Sequence, residues 1–521
     1  MSPMKMKNVR EFFARLGVWR NAAAEMRSDV APASWRLYGP VAALGVAIFA
    51  IALSGYPNLV DNERRIGAYV LDAVQHGHWI MQYDVSGAVA SKPPLLTWIA
   101  ALSTAAFGEI NRFSIYLPSA LATLGVALLL VGAGKNHFGW RTGFLAGLIY
   151  LLCPAGARQF VTARYDGLLA LPVTLAAFAA YRAWTTGRGW TWFWLAGALG
   201  TMAKGPIALL LGGAGLLAHF WERRARHESK MRGSHWLGLA LFVAICGGWF
   251  FFAYQSIGQP LLDKLLGREL AAHATGSGMK EKMFVGFYEP TVAFLSNLAP
   301  WCALALVAFW RVWKRPSENP DERRFERFLF CWFFAGLVLF SIAAHQRGRL
   351  VFPLIPAAAL LAARELAWWL RGWSTARLYK AAGVFAAVVL AFLFLYHHVL
   401  QGHSTRVQET LGMRGIAAKV RGTLGEQFPL VHVKTPFALQ FWLNTAHRLV
   451  KPERAAALLQ GAEPVVVAVA DFPELENLLS TNRPVLYELA RWPAEEPTLV
   501  RVISNRPFTN APAVGAKSST P

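Results

Sequence analysis

Eleven apolar segments, most of them about as long as the hydrocarbon core of a bilayer is thick, occupy the chain between residues 38 and 399. They lie near 38–55, 112–134, 141–157, 166–184, 190–203, 206–221, 236–254, 291–313, 327–344, 350–370 and 377–399. A helix needs about 20 apolar residues, range about 17–25, to cross that core. Lipid offers no partner to a bare backbone amide, so helices are the form such segments can take inside it. The pair 190–203 and 206–221 is short enough to read as a broken or re-entrant hairpin, and 94–107 reads as an interfacial helix. The whole chain is 55% hydrophobic and 16% charged, against about 25% charged for a soluble domain. With 21 Trp and 34 Phe it is far from the composition of a disordered chain.

Net charge is +22, which by itself could mean nucleic acid. Position decides otherwise. The basic runs Lys135–Arg141, Arg182–Arg188, Arg223–Arg232, Arg311–Arg327 and Arg371–Lys380 sit between apolar segments. Cytoplasmic loops of membrane proteins carry such an excess. The first 37 residues are also basic, so the N-terminus is expected in the cytoplasm, with no cleaved signal. Eleven crossings from there put every basic run on the cytoplasmic side. No nucleic-acid partner is expected. The four cysteines, Cys153, Cys246, Cys302 and Cys331, each stand in apolar surroundings and suggest packing, not a disulfide framework or a metal site.

An odd number of crossings leaves the end of the chain outside. Residues 400–521 mix charges and lack a spanning run. Leu430–Val433, Pro464–Ala470 and Pro484–Leu489 read as strands, and Pro452–Leu459 and Pro473–Leu479 as helices. The expected organisation is a basic cytoplasmic segment 1–37, a transmembrane domain 38–399 with outer loops 56–111 and 255–290, a small soluble α/β domain 400–506, and a flexible tail 507–521.

On this path, charged residues from distant segments fall on one membrane face. The first outer loop carries Asp61-Asn62-Glu63-Arg64-Arg65 and then Lys92-Pro93-Pro94-Leu95-Leu96-Thr97-Trp98. Arg164-Tyr165-Asp166 opens an apolar segment, Lys204-Gly205-Pro206 splits the short pair, and His345-Gln346-Arg347-Gly348-Arg349 forms a short turn. Ionisable residues at membrane depth are functional candidates by default. Carboxylates can deprotonate an acceptor, and Lys and Arg can neutralise phosphate charge. Glu269 and His273, at i and i+4 in the second outer loop, could hold a divalent metal, although two ligands make a weak site. His76 and His78 read as surface-loop residues.

At these residues the chain resembles the GT-C class of polyprenyl-phosphate-sugar glycosyltransferases, which includes the aminoarabinose–lipid A transferases and the protein O-mannosyltransferases. The matching elements, in order, are Asp61-Asn62-Glu63, Gly77-His78-Trp79, the Lys92-Pro93-Pro94 stretch, and Phe107-Gly108 with Arg112 and Pro118-Ser119-Ala120. Ala163-Arg164-Tyr165-Asp166, Ala203-Lys204-Gly205-Pro206-Ile207, and Pro353 and Pro356 with Ala358 to Leu361 follow. Departures are Asn62 and Arg65 in the first loop, Ser91 where an acid often precedes the Lys-Pro-Pro, and Arg347 and Arg349 in the late turn.

The resemblance implies a helical polytopic membrane protein of the bacterial inner membrane, with its active site and C-terminal domain periplasmic. The donor would be a polyprenyl-phosphate-linked sugar and the acceptor lipid A, a protein or a glycan, with membrane lipids as surroundings. It also implies Asp61 as catalytic carboxylate, assisted by Asp166. Lys92 and Arg347, with Lys204 and Arg349, would hold the donor phosphate, and transfer would invert the anomeric carbon. Glu63, Arg64, Arg164 and Glu269 are further site candidates. No nucleotide-sugar site is required, since the donor would already be lipid-linked; no cofactor is implied for certain, and a divalent metal is compatible. A transporter or flippase of a lipid-linked substrate, or a non-catalytic envelope partner, are the competing readings.

Overall fold

In a computed structural model, the described residues are 31–59, 61–224, 233–263, 286–343, 348–425, 430–446, 449–480, 484–495 and 497–507. Side chains at 61, 62, 223 and 224 are not among them. The chain forms two compact units. The first comprises Met1–Ser54, Ser91–Leu96 and Tyr116–Leu395, and the second Gly55–Ala90, Thr97–Ile115 and Tyr396–Pro521.

Among the described residues, seven helices are long and apolar enough to cross a membrane: Ser34–Ser54, Arg112–Phe138, Tyr165–Thr186, Trp236–Ile257, Pro320–Ile342, Gly348–Trp369 and Thr375–His403. The expected segment 291–313 is instead a pair of helices, Glu289–Asn297 and Cys302–Lys314, bent by 116°. Three further segments, read in sequence as crossings, are the short helices Trp140–Leu152, Trp190–Lys204 and Ile207–Glu222. At 1.5 Å per residue, the 13 residues of Trp140–Leu152 extend only about 20 Å, short of a bilayer core of about 30 Å. Trp140–Leu152 is buried at every residue by protein, whereas Trp192, Leu210 and Phe220 on the other two stand exposed. By length and composition, seven helices among the described residues pass as crossings, or eight if the bent pair is one span.

The first unit is a helical bundle whose core is Tyr165–Thr186 against Trp190–Lys204 and Ile207–Gly213, and Ile355–Trp369 against Trp140–Leu152 and Cys302–Lys314. Close crossing requires small residues: a Cβ on Gly143 would lie 2.2 Å from the Val131 carbonyl oxygen. Thr375–His403 is the opposite case, apolar all round with Val384, Val388 and Phe392 exposed, the signature of a helix facing lipid. Within the bundle a belt of buried ions ties four helices. Arg364 pairs with Glu326, Arg311 Nη1 lies 3.0 Å from Glu365 Oε2, and Arg327 Nη1 lies 2.6 Å from Glu222 Oε1. The Ser317 N–H donates to Glu326 and the Ser317 hydroxyl to Glu322, both at 2.7 Å.

The second unit holds a four-stranded sheet ordered β1-β2-β4-β3, with β1 Leu430–Val433, β2 Val466–Val469, β3 Tyr487–Trp492 and β4 Val500–Ser504. β1 and β2 are parallel, and the other pairs antiparallel. Alternation sorts the side chains. Leu430, Ala468 and Val502 meet Met413, Ile416 and Val420 of the Thr405–Leu424 helix on one face. Val433, Val467, Val469 and Ile503 meet Leu459 and Leu475, from helices Pro452–Gln460 and Phe472–Leu479, on the other. The three strands expected from sequence are present, and Val500–Ser504 is a fourth that sequence reading missed.

The same unit contains Gly55–Ala90 and Thr97–Ile115, most of the long loop that follows the first apolar helix. Its Asp61–His76 helix is amphipathic and packs on the Phe437–Leu443 helix, with the Phe437 ring so close that a Cβ on Gly67 would lie 2.7 Å away. Asn444 sits in the left-handed region (φ 54°) and joins the pieces. Its carbonyl accepts from the Gln75 amide, and its side-chain oxygen accepts from the Ile110 N–H at 3.0 Å.

Candidate functional site

In the first unit, two of the residues singled out from sequence meet directly. Arg164 is the extended residue (φ −135°, ψ 139°) that precedes the Tyr165–Thr186 helix, so Asp166 falls in its first turn. The positive end of the helix dipole favours a carboxylate there. Asp166 is buried, and the ammonium of Lys204 donates to its Oδ1. Lys204 is the last residue of Trp190–Lys204, and Gly205 ends that helix at φ 112°, a conformation that suits only glycine. The two helices pack against each other, and the helix end at Lys204 leaves its side chain beside the start of the neighbouring helix.

The surroundings of Asp166 are tight. The Ser119 hydroxyl donates to the Arg164 carbonyl at 3.1 Å. A Cβ on Gly167 would lie 2.7 Å from Gln159 Oε1 and 3.1 Å from Ser119 Cβ. Arg349 is half-buried on the 3-10 segment Gly348–Leu354, which packs on the Tyr165–Thr186 helix. Lys92, half-buried, precedes the buried Pro93 and Pro94. Arg347, Glu269 and His273 lie outside the described residues, as does the structure of 508–521.

In the second unit, Asp61 is the first residue of the Asp61–His76 helix, and its side chain is outside the described atoms. Glu63 is buried and Arg64 exposed. Arg112 donates from Nη1 to the Gly55 carbonyl at 2.6 Å, clamping the entry to the outer loop. His76 and His78, read from sequence as surface-loop residues, are partly exposed, but both rings turn onto the buried carboxylate of Asp72. Asp72 was not singled out from sequence. The signal available was the i, i+4 spacing of Asp72 and His76 on one helix.

Residues 91–250 match the family model described as dolichyl-phosphate-mannose-protein mannosyltransferase. That stretch includes Lys92, Arg164, Asp166 and Lys204. Among curated proteins, the chain is 25% identical over 380 residues to the undecaprenyl phosphate-alpha-4-amino-4-deoxy-L-arabinose arabinosyl transferase 1 of Pseudomonas fluorescens, covering 70% of this chain and 63% of that one. It is 26% identical over 331 residues to the corresponding transferase of Pseudomonas aeruginosa, covering 62% and 58%. The chain thus spans about three fifths of the length of the curated relatives it matches. The crystal structure of ArnT from Cupriavidus metallidurans bound to undecaprenyl phosphate superposes with a TM-score of 0.70 at 16% identity, covering 91% of this chain and 99% of that one. Its apo form gives 0.67. The chain is a multi-pass membrane protein with the GT-C fold, similar to the aminoarabinose transferases.

Proposed function

We propose that this protein is an integral-membrane glycosyltransferase. It moves one sugar from a polyprenyl-phosphate donor to an acceptor, lipid A, a protein or a glycan, on the outer face of a bacterial inner membrane. The observation that carries this reading is the likeness to ArnT over 91% of the chain, a fold whose crystal structure holds undecaprenyl phosphate. The transporter or flippase reading has no comparable support.

In this proposal Asp61 is the base that takes the acceptor proton as the nucleophile attacks the anomeric carbon, and configuration inverts. The polyprenyl phosphate is the leaving group. Lys92, Arg347 and Arg349 neutralise its charge as the glycosidic bond breaks. Lys204, tied to Asp166, holds that carboxylate oriented, so the pair positions the acceptor; Glu63, Arg64 and Arg164 are supporting groups. The N-terminal 37 residues are cytoplasmic, and 400–506 is a periplasmic α/β domain lying beyond the last crossing.

The test is mass spectrometry of envelope lipids, glycans and proteins with and without the gene. Loss of a mass equal to one sugar names donor and acceptor together, and an unchanged envelope sinks the proposal. With the product known, Asp61→Asn is expected to lower transfer at least about 100-fold at unchanged membrane abundance. Normal turnover in that variant removes Asp61 from the role.

A further inference from the structure

We propose that Asp72, His76 and His78 form a binding site for a divalent transition metal, zinc foremost. His76 follows Asp72 by one helical turn at the end of the Asp61–His76 helix, and its Nδ1 lies 3.0 Å from Asp72 Oδ1. Gly77, at φ +72°, then reverses the chain. The turn brings His78 back, with Nδ1 3.1 Å from Asp72 Oδ1 and 3.0 Å from Oδ2. One ligand atom from each of the three residues lies within 4.8 Å of the others.

Tetrahedral zinc, at about 2.0–2.1 Å from imidazole nitrogen and 2.0–2.2 Å from carboxylate oxygen, holds its ligand atoms about 3.4 Å apart. The imidazole-to-carboxylate separations of 3.0–3.1 Å are close to that spacing. Imidazole nitrogens select zinc, copper and nickel over magnesium and calcium.

The supports are those a metal site needs outside its ligands. The Tyr83 N–H donates to Asp72 Oδ2 at 2.8 Å, which fixes the carboxylate. The Gln82 amide donates to the carbonyls of His78 and Trp79, both at 2.8 Å, and so pins the returning loop. The Tyr83 ring packs edge-on against the His78 ring, centroids 5.2 Å apart. The carboxylate is 6% exposed, whereas His76 and His78 are 45% and 38% exposed. One side of the cluster therefore faces solvent, which leaves a fourth position for water. These ligands share no residue with the Glu269 and His273 pair, and the proposal stands apart from the transferase reading.

The test uses the full-length protein in detergent with any purification tag removed and metal stripped by chelator. Zinc sulfate titrated into it is expected to bind one equivalent at these residues and to raise the melting midpoint. The double variant His76→Gln/His78→Gln is expected to lose that equivalent and the midpoint shift, while Glu269→Gln/His273→Gln keeps both. His78→Ala alone, at a partly exposed residue that does not threaten folding, is expected to weaken zinc binding at least about tenfold. The proposal is overturned if the wild type takes up no zinc at micromolar concentration, or if the His76/His78 variants bind it as the wild type does. Either result leaves Asp72 as a plain acceptor for two imidazole N–H groups and one backbone N–H.

Discussion

The two units treat a buried carboxylate in different ways. In the helical bundle, Glu326, Glu365, Glu222 and Asp166 each meet a lysine or an arginine. In the sheet-containing unit, Asp72 meets two histidines and a backbone N–H. The first arrangement sets each carboxylate against a cationic side chain from a neighbouring helix. Its role is to let polar helix ends pack inside an apolar bundle, where an unpaired charge is prohibitive. The second uses imidazoles on a partly exposed turn, side chains that hydrogen-bond the carboxylate and can also ligate a metal ion. A cation from a neighbouring helix ties elements of the bundle together; the imidazole pair closes a local turn.

The largest effect that sharpens this contrast belongs to the belt. Glu326→Ala removes the carboxylate that meets both the buried Arg364 and the Ser317 N–H, and is expected to destabilise the bundle by about 3–5 kcal/mol, read as a lowered unfolding midpoint in detergent. A change below about 1 kcal/mol would mean that water reaches Arg364, and the contrast would lose its basis. Lys204→Met comes next. The lysine side chain is 17% exposed against 8% for Asp166, so the cost should be smaller, about 2–3 kcal/mol. Transfer should fall along with stability if the pair positions the acceptor, and a stable variant with full transfer would reduce it to a packing device.

The smallest effect is at the sheet surface. The Lys434 ammonium is raised above its ordinary value by a hydrogen bond to Glu474, with Asp471 adding to it. That stabilisation is complete below the unfolded lysine value and is lost only as pH rises through the raised one. At pH 7 it does not vary, and being exposed it is screened. Glu474→Gln should therefore move the melting midpoint by less than about 1 °C, and a larger drop would show that surface pairs matter here as much as buried ones.

Much of the fold was legible in the residues. Apolar length marked Ser34–Ser54, Arg112–Phe138 and Tyr165–Thr186 as crossings, because lipid imposes one length on every helix that spans it. The segment 141–157 is divided between the fully buried helix Trp140–Leu152 and the short Pro154–Gln159, a division that apolar composition does not show, since a helix surrounded by protein and one surrounded by lipid have the same composition. In the site, the conspicuous charges Asp166 and Lys204 stood out singly, but nothing in their separation of 38 positions said that one would hold the other. Asp72 escaped notice because an acid on an amphipathic helix looks like solvated surface until its burial is known.

By itself, the order of residues determined that the chain lives in a membrane, where its longest helices run, and which charges stand in apolar company. These follow from local composition and periodicity, which act over a few turns of chain. Only the tertiary structure decided which charges share a bond and that Gly55–Ala90 joins the C-terminal sheet in one unit. It also decided that two histidines converge on one carboxylate. Each of these depends on packing between segments far apart in sequence, where burial and geometry select partners that no local pattern encodes.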